Sequence, residues 1–450
     1  MTIPPQYYLE KPDLSLLDTK EIISKLDPLG DKLRDLFEKS NFPDYLYWDK
    51  LKYKIPNYSV SAEEGWFFVR QFRNLVSNET LIKSEQGKNF RWMRLRYTDE
   101  YLHRIDMCTG GKISPKSFFS TDKNQLIVHG IMEEAIASSQ LEGAHTTRAA
   151  AKKMLLENRI PTNKSEQMIL NNYRAMIAIE SEYTKSELSL ELMFALHRQL
   201  TEGTDIAKDE IGRFRTDEDG IVVQGVIGTE AYVTHVPPKE AFLNKEIKRL
   251  IAFANDLGED QFIHPIIKAI FLHFWIGYLH PFTDGNGRMA RALFYWYLLK
   301  KGYWTMIYIP ISTVIKHAPM QYAMAYIYSE QDNFDITYFY DFHIKKIIQA
   351  LEEFESYIDK KTRENRKFDD VLGTQMSLNE RQKQLLHHLI SDDKASVTVT
   401  SHSGIHNVAR QTAAKDLKEL ENKGFLIAKR EGKFVRYYSS EKLMGYKGRI

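Results

Sequence analysis

Residues 266–279 (IIKAIFLHFWIGYL) and 290–299 (ARALFYWYLL) are largely apolar, and only HPFTDGNGRM lies between them. An apolar run without a polar face has to be buried on every side, so each reads as a helix inside a core. Gly285-Asn286-Gly287 falls at the entry of the second helix. A chain committed to such a pair is expected to be mainly α.

The short link carries most of the chemistry. Glycines tolerate positive φ and let a ligand approach the backbone. Free N–H groups at a helix start attract an anion, with help from the helix dipole. Arg288 and Arg291 are spaced i, i+3 and are expected in the first turn, where that dipole disfavours cations; a bound anion resolves the conflict. Arginine suits phosphate because its planar fork donates paired, charge-assisted hydrogen bonds. Asp284 offers one hard oxygen, a common protein share at a Mg²⁺ whose other ligands include phosphates. His280, with an ordinary pKa near ~6.5, accepts a proton in its neutral form. Singly, each residue also fits a capped helix start with surface ion pairs. Together they suit a metal-bound polyphosphate with a hydroxyl deprotonated beside it.

HPFTDGNGRMAR at 280–291 resembles the signature of the Fic family, His-x-Phe-x-Asp/Glu-Gly-Asn-Gly-Arg-x-x-Arg, at every fixed position. The resemblance covers roughly the middle half of the chain and implies a Fic-type helical bundle with a β-hairpin flap. It also implies transfer of AMP from ATP to a hydroxyl side chain of a target protein. On that pattern His280 is the general base, Phe282 anchors the loop and Asp284 holds Mg²⁺. Gly285, Asn286 and Gly287 form the phosphate nest, and Arg288 and Arg291 grip the distal phosphates. The related Doc branch departs at the third position of the Gly-Asn-Gly turn and acts as a kinase; Gly287 favours nucleotidyl transfer.

A second stretch, Ser138-Ser139-Gln140-Leu141-Glu142-Gly143, is expected to close a helix capped at its start by Asp122. Gly143 is the expected stop, which leaves Glu142 at a helix end whose dipole disfavours a carboxylate. Glu142 alone also reads as a solvated residue before a capping glycine. Ser138, Glu142 and Gly143 match the Fic inhibitory pattern Ser/Thr-x-x-x-Glu-Gly/Asn, and their place before 280–291 resembles the subclass with an N-terminal inhibitory helix. That resemblance implies pairing of Glu142 with Arg291 and a blocked γ-phosphate seat. The same glutamate can instead position a water that removes AMP from a modified target, and another nucleotide donor also stays open.

Residues 221–226 (IVVQGV) and 231–235 (AYVTH) are β-prone and read as a hairpin turning at 227–230. As the Fic flap it would pair its edge with a target segment. Residues 211–215 (IGRFR) are expected to brace the fold.

A length of 450 residues implies two or three domains. The expected division is 1–118 (an aromatic-rich region packing on the central helices), 119–345 (the Fic region), 346–375 (a charged helical linker) and 376–450. The last part, with a helix over 379–390, another around 407–420 and two strands over 427–438, resembles a winged helix-turn-helix. Its departure is SVTVTSH at 396–402, where β-branched residues weaken the expected first helix of the pair. Arg410, Gln411 and Lys415 are then candidate contacts to base or phosphate, with Arg430, Lys433 and Arg436 on the wing. Docking to protein is the competing use of such a module, and a nucleotide-sensing, DNA-binding regulator is the competing function.

Lysine and arginine number 62 against 60 acidic residues, so net charge makes no global case for nucleic acid or membrane. One cysteine, Cys108, excludes an internal disulfide and is expected to be buried. Without a basic-then-apolar leader or a membrane-length apolar run, a cytoplasmic location is expected. Partners are expected to be ATP, a target protein and the chain itself, and DNA through 376–450; a homodimer is left open.

Overall fold

The computed structural model describes residues 3–15, 17–24, 30–109, 123–258, 261–372, 378–391, 395–406, 408–432 and 434–447. The N-terminal part contains α1 (Gly30–Asn41), α2 (Ala62–Val76), the paired strands β1 (Asn78–Lys83) and β2 (Asn89–Trp92), and α3 (Thr98–Thr109). The central part follows as α4 (Lys123–Leu141), α5 (Arg148–Leu156), α6 (Lys164–Ser181) and α7 (Leu190–Thr201). After the hairpin β3 (Val223–Ile227) and β4 (Glu230–His235) come α8 (Glu240–Ala254), α9 (Pro265–Leu279), α10 (Asn286–Lys300), α11 (Ile311–Lys316), α12 (Pro319–Gln331) and the long α13 (Thr337–Leu372). The C-terminal part comprises α14 (Glu380–Ser391), α15 (Val399–His406), α16 (Arg410–Asn422), β5 (Leu426–Glu431) and β6 (Phe434–Ser439). Strands occur among the described residues only as antiparallel pairs, so the chain is mainly α.

The two apolar runs are α9 and α10, and they pack on each other at the centre. Pro265 opens α9 where a missing N–H costs nothing, and the His264 ring accepts from Ile266 N. Nearly every side chain of both helices is buried, including Trp275, Tyr295, Trp296 and Tyr297. Lys268 is the charged exception on α9; it pairs with Asp256 and lies 4.4 Å over the Phe253 ring. α4 packs on α6 and α11, and α13 packs along α9, α11 and α12.

The aromatic N-terminal residues belong to this same core. Trp92 meets Phe271 and Tyr340 edge-on, and buried Arg73 bonds the carbonyls of Ser40 and Leu46 and the hydroxyl of Tyr338. Cys108 departs from expectation. It is half-buried, 3.4 Å from Glu355, because α3 lies at the edge of the core. The helix expected from 346 begins at Thr337 and stays buried on one side to Ile358, since that face covers α9 and α11. The cap proposed at Asp122 lies outside the described residues.

The C-terminal part has its own core of Leu386, Leu389, Val397, Leu417, Leu420, Phe425 and Leu443. The β-branched stretch does not prevent a helix. Val397 bridges Tyr437 in extended form, and Thr398 caps α15 in reciprocal bonds with Ser401. α15 packs on α16 within this part and on α4 and α5 outside it. No helix among the described residues is long and apolar enough to cross a membrane.

Two separate cores predict two separable unfolding units. Leu417→Ala should cost about 2–5 kcal/mol and lower a C-terminal calorimetric transition while leaving the main one in place. A common downward shift of both would show that the cores unfold together.

Candidate active site

The link between α9 and α10 is held in a conformation its sequence does not prefer. His280 caps α9 at φ 46°, ψ 57°, a left-handed position that costs a non-glycine residue about 1–3 kcal/mol. Arg215 compensates. Its Nε donates to His280 O at 2.7 Å, its Nη2 to Pro238 O at 2.6 Å and Leu279 O at 3.2 Å, and its own N–H to Pro281 O. Phe282 is fully buried against the His197 ring, with centroids 3.8 Å apart and planes 5° from parallel. His197 accepts from Gly212 N, so its other nitrogen donates to Asp284 O at 3.1 Å. Burial pushes this imidazole down to about 4 and keeps it neutral. Asn286 closes the loop on itself. Its Oδ1 accepts from Phe282 N and its Nδ2 donates to Phe282 O, so its side chain is spent on structure and only its backbone is left for a ligand.

Gly285 precedes α10 at φ 83°, where a Cβ would also crowd Thr201. The first N–H groups of α10 then have no carbonyl one turn back. Asp284 stands beside them with its side chain 55% exposed, one oxygen accepting from Gly285 N at 2.5 Å and the other 3.5 Å from Arg288. Arg288 falls in the first turn, as expected. Arg291 does not. α10 starts at Asn286, which puts Arg291 in the second turn, beyond the reach of the unpaired N–H groups.

Both guanidinium groups are buried. Arg288 Nη1 donates to Leu200 O at 2.7 Å, while its Nε has no partner among the described residues. Arg291 donates through Nε to Ser138 Oγ at 2.7 Å, and through Nη2 to Ser138 O at 3.0 Å and Glu142 Oε1 at 2.8 Å; its Nη1 is likewise unpaired. Burial opposes the charge of Arg291, yet Glu142 beside it leaves its pKa raised.

Glu142 reaches Arg291 because α4 ends there. Ala144 N bonds Ser139 O, Gly143 N bonds Gln140 O, and Gly143 has φ 90°, a hydrogen-bond pattern that stops a helix. The carboxylate lies against the bare Cα of Gly287, where a Cβ would come 2.1 Å from Glu142 Oε1. It therefore occupies the concave start of α10. Ser138, Glu142 and Gly143 come together with Gly287 and Arg291, from residues far apart in sequence.

Three residues around this cluster were not singled out from sequence. Glu134 is buried on α4 and accepts from Tyr295, Ser312 N and Ser312 Oγ, which pins α4 to α10 and α11. His235 has both ring nitrogens on acceptors, Glu330 at 2.7 Å and Tyr278 O at 2.9 Å, and so is doubly protonated. Burial opposes that charge, but Glu330 leaves the pKa raised. Its ring lies 6.4 Å from that of His280. Packing around His280, together with this cation and Arg215, pushes the His280 pKa down to about 3. Tyr322 bonds buried His273 at 2.9 Å. A histidine next to Val-Pro-Pro was a visible signal for His235; nothing local marks Glu134 or Tyr322.

The hairpin turns at Gly228-Thr229, a tighter turn than 227–230, because Ile227 already pairs with Glu230. The outer edge of β4 is covered by the N-terminal segment, with Tyr7 N on Val233 O and Val233 N on Pro5 O. The outer edge of β3 is the one left for a further strand among the described residues.

In the C-terminal part Arg410, Gln411 and Lys415 are exposed along α16 and Arg430 is exposed on β5, while Lys433 lies outside the described residues. Arg436 is not a free wing residue. It lies 3.3 Å from Glu431 and 3.5 Å from Glu157, the residue after α5.

Residues 187–298 match the Fic/DOC family. Protein adenylyltransferase fic-1 of Caenorhabditis elegans is 30% identical over 128 residues, covering 28% of this chain and 22% of that protein. Protein adenylyltransferase Fic of Nematostella vectensis is 39% identical over 98 residues, covering 21% of this chain and 19% of the relative. The chain thus spans about a fifth of the length of these relatives. A crystal structure of a Fic family protein from Desulfovibrio desulfuricans G20 aligns at a TM-score of 0.47 and 17% identity, over 76% of this chain and 94% of that one. Residues 280–291 lie near the C-terminal end of the stretch that matches the Fic/DOC family.

Proposed function

We propose that this protein transfers AMP from ATP to a hydroxyl side chain of a target protein, and that Glu142 holds it in a restrained state. The observation that carries the reading is the Glu142–Arg291 pair seated over Gly287, where a carboxylate fills the anion-seeking start of α10. Beside it two buried guanidinium nitrogens, Arg288 Nε and Arg291 Nη1, have no acceptor among the described residues, a costly condition that phosphate oxygens would relieve. These orphans and the exposed oxygens of Asp284 fit a metal-bound polyphosphate. Among the described residues there is no group of three or more metal-ligating side chains, so Asp284 would supply one ligand to Mg²⁺ and phosphate and water the others. A bound Mg²⁺ would neutralise phosphate charge.

The step balances as a displacement at the α-phosphorus. The target oxygen forms a bond to phosphorus, the bond to the bridging oxygen of the β-phosphate breaks, and pyrophosphate leaves. His280 takes the hydroxyl proton. Arg288, Arg291 and the first N–H groups of α10 stabilise charge on the leaving group. The open edge of β3 would hold the target segment in extended form. The same carboxylate could position a water for removal of AMP, and the experiment below separates the two directions.

Label from ATP carrying radioactive α-phosphate should transfer weakly with the wild-type chain and roughly tenfold or more faster with Glu142→Gly, a difference of about 1.4 kcal/mol in barrier. Adding His280→Ala should abolish it. Equal transfer by wild type and Glu142→Gly would overturn the restraint. Loss of AMP from a pre-labelled target, fast in wild type and slow in Glu142→Gly, would favour hydrolytic removal of AMP, with water bonding to the phosphorus as the target oxygen leaves.

Because the His280 pKa is pushed down to about 3, its neutral form is present throughout the neutral range. The Glu142→Gly rate should therefore show no acid limb from this base between about pH 5 and 8. A limb centred near ~6.5, the ordinary histidine value, would place the base elsewhere or show that ATP binding raises it.

A second activity is proposed for residues 378–447, binding of duplex DNA through α16, on the exposure of Arg410, Gln411 and Lys415 along one helix. Affinity should fall steeply with salt, and Arg410→Ala with Lys415→Ala should flatten that slope by about two. No binding at low salt would leave protein docking as the role.

A further inference from the structure

The helix that carries Glu142 also borders a cleft away from the site described above. Ile136 and Ala137 of α4, Tyr308 before α11, and Phe354 and Tyr357 of α13 wall a space of about 290 Å³. None of His280, Asp284, Arg288 and Arg291 lines it. Its volume is at the lower end for small-molecule sites.

The walls select for a flat apolar group. Tyr308 and Phe354 stack at 6.1 Å and 18°, and Tyr357 stacks on His129 at 5.0 Å and 20°. Tyr308 is 2% exposed, and its hydroxyl has no hydrogen-bond partner among the described residues.

The rim selects for a negative charge at one end. Arg148 is committed to Glu133 by two bonds of 2.6 Å. Glu353, also in the wall, accepts from Gln349 at 3.1 Å. Lys316 is exposed and donates to the neutral amide of Gln140 at 2.5 Å, with no carboxylate in ion-pair range among the described residues. Gln140 in turn donates to Thr146 O at 2.8 Å, tying the end of α4 to the loop that follows. Glu142 is two residues further on. An anion that draws Lys316 away would loosen the clamp on the segment that places Glu142.

We propose that this cleft is an effector site for a planar aromatic anion, and that its occupancy changes the hold of Glu142 on Arg291. The second half rests on the reading of Glu142 as a restraint; the first does not.

The test is fluorescence titration of the full chain with anilinonaphthalene sulfonate, an aromatic anion that brightens in apolar surroundings, beside neutral phenylnaphthylamine. One saturable site is expected. Thr313 lines the cleft beside Ala137, and Thr313→Trp and Ala137→Phe, which fill it, should each weaken the sulfonate at least about tenfold. Lys316→Gln should weaken the sulfonate several-fold and leave the neutral amine unchanged. Equal sulfonate affinity in the filled variants, with wild-type melting temperatures, would overturn the site. If those variants melt early, Lys316→Gln decides, because it alters an exposed side chain: equal loss of both probes, or of neither, overturns the anion reading. For the coupling, sulfonate should change label transfer by wild type and not by Glu142→Gly. An unchanged wild-type rate at saturation overturns the coupling, while absence of label transfer in every form counts against the proposed reaction and leaves the binding result standing.

Discussion

Arg291 is a buried cation, and the surroundings of the site are arranged around keeping it satisfied. Removing a guanidinium from water costs several kcal/mol, which only well-placed acceptors offset. Here the acceptors are Ser138 Oγ, Ser138 O and Glu142 Oε1, all from the last turn of α4 or the residue after it. Removing one partner of such a pair typically costs about 3–5 kcal/mol, because the other charge is stranded. The carboxylate therefore leaves readily only if another anion takes its place. On the reading proposed above, that anion is a phosphate of ATP, and restraint and substrate compete for one cation.

This competition needs the end of α4 to be fixed, and the fold fixes it on several sides. The hydrogen bonds that stop the helix set the direction in which Glu142 leaves it. Glu134, two turns earlier, is bonded to Tyr295 of α10 and Ser312 of α11. The C-terminal part adds a further contact, since α15 packs on α4 and α5 and Arg436 meets Glu157. A helix touched by α10, by an aromatic cleft and by the C-terminal part is suited to pass a change at any of them to one carboxylate.

The link between α9 and α10 is built differently. Its strain at His280 persists because Arg215 takes up the carbonyls of Leu279, His280 and Pro238 and because Phe282 is wedged against His197. The cost of a left-handed histidine is met by contacts from segments well before it in the chain. The result is an imidazole held neutral beside a helix start that seeks anions.

The core motif was legible in the sequence because its chemistry is local. Apolar runs fixed α9 and α10 as buried helices, Gly285 had to stand where φ is positive, and Asp284 and Arg288 flank the entry of α10, with Arg291 one turn further in. The same holds for Gly143, whose positive φ ends α4 one residue after Glu142. Local pattern misjudged the stretch at 396–402, where burial at Val397 and a Thr398 cap outweigh β propensity. It also made Arg436 a wing contact to phosphate, although its guanidinium is paired with Glu431 and Glu157. What only the tertiary structure decided is which groups meet: Glu142 with Gly287 and Arg291, Arg215 with His280, His235 with Glu330, and the N-terminal segment with β4. Propensity and periodicity act over a few residues. The pairing of charges separated by tens or hundreds of residues depends on how helices pack, and packing is set by the whole core at once.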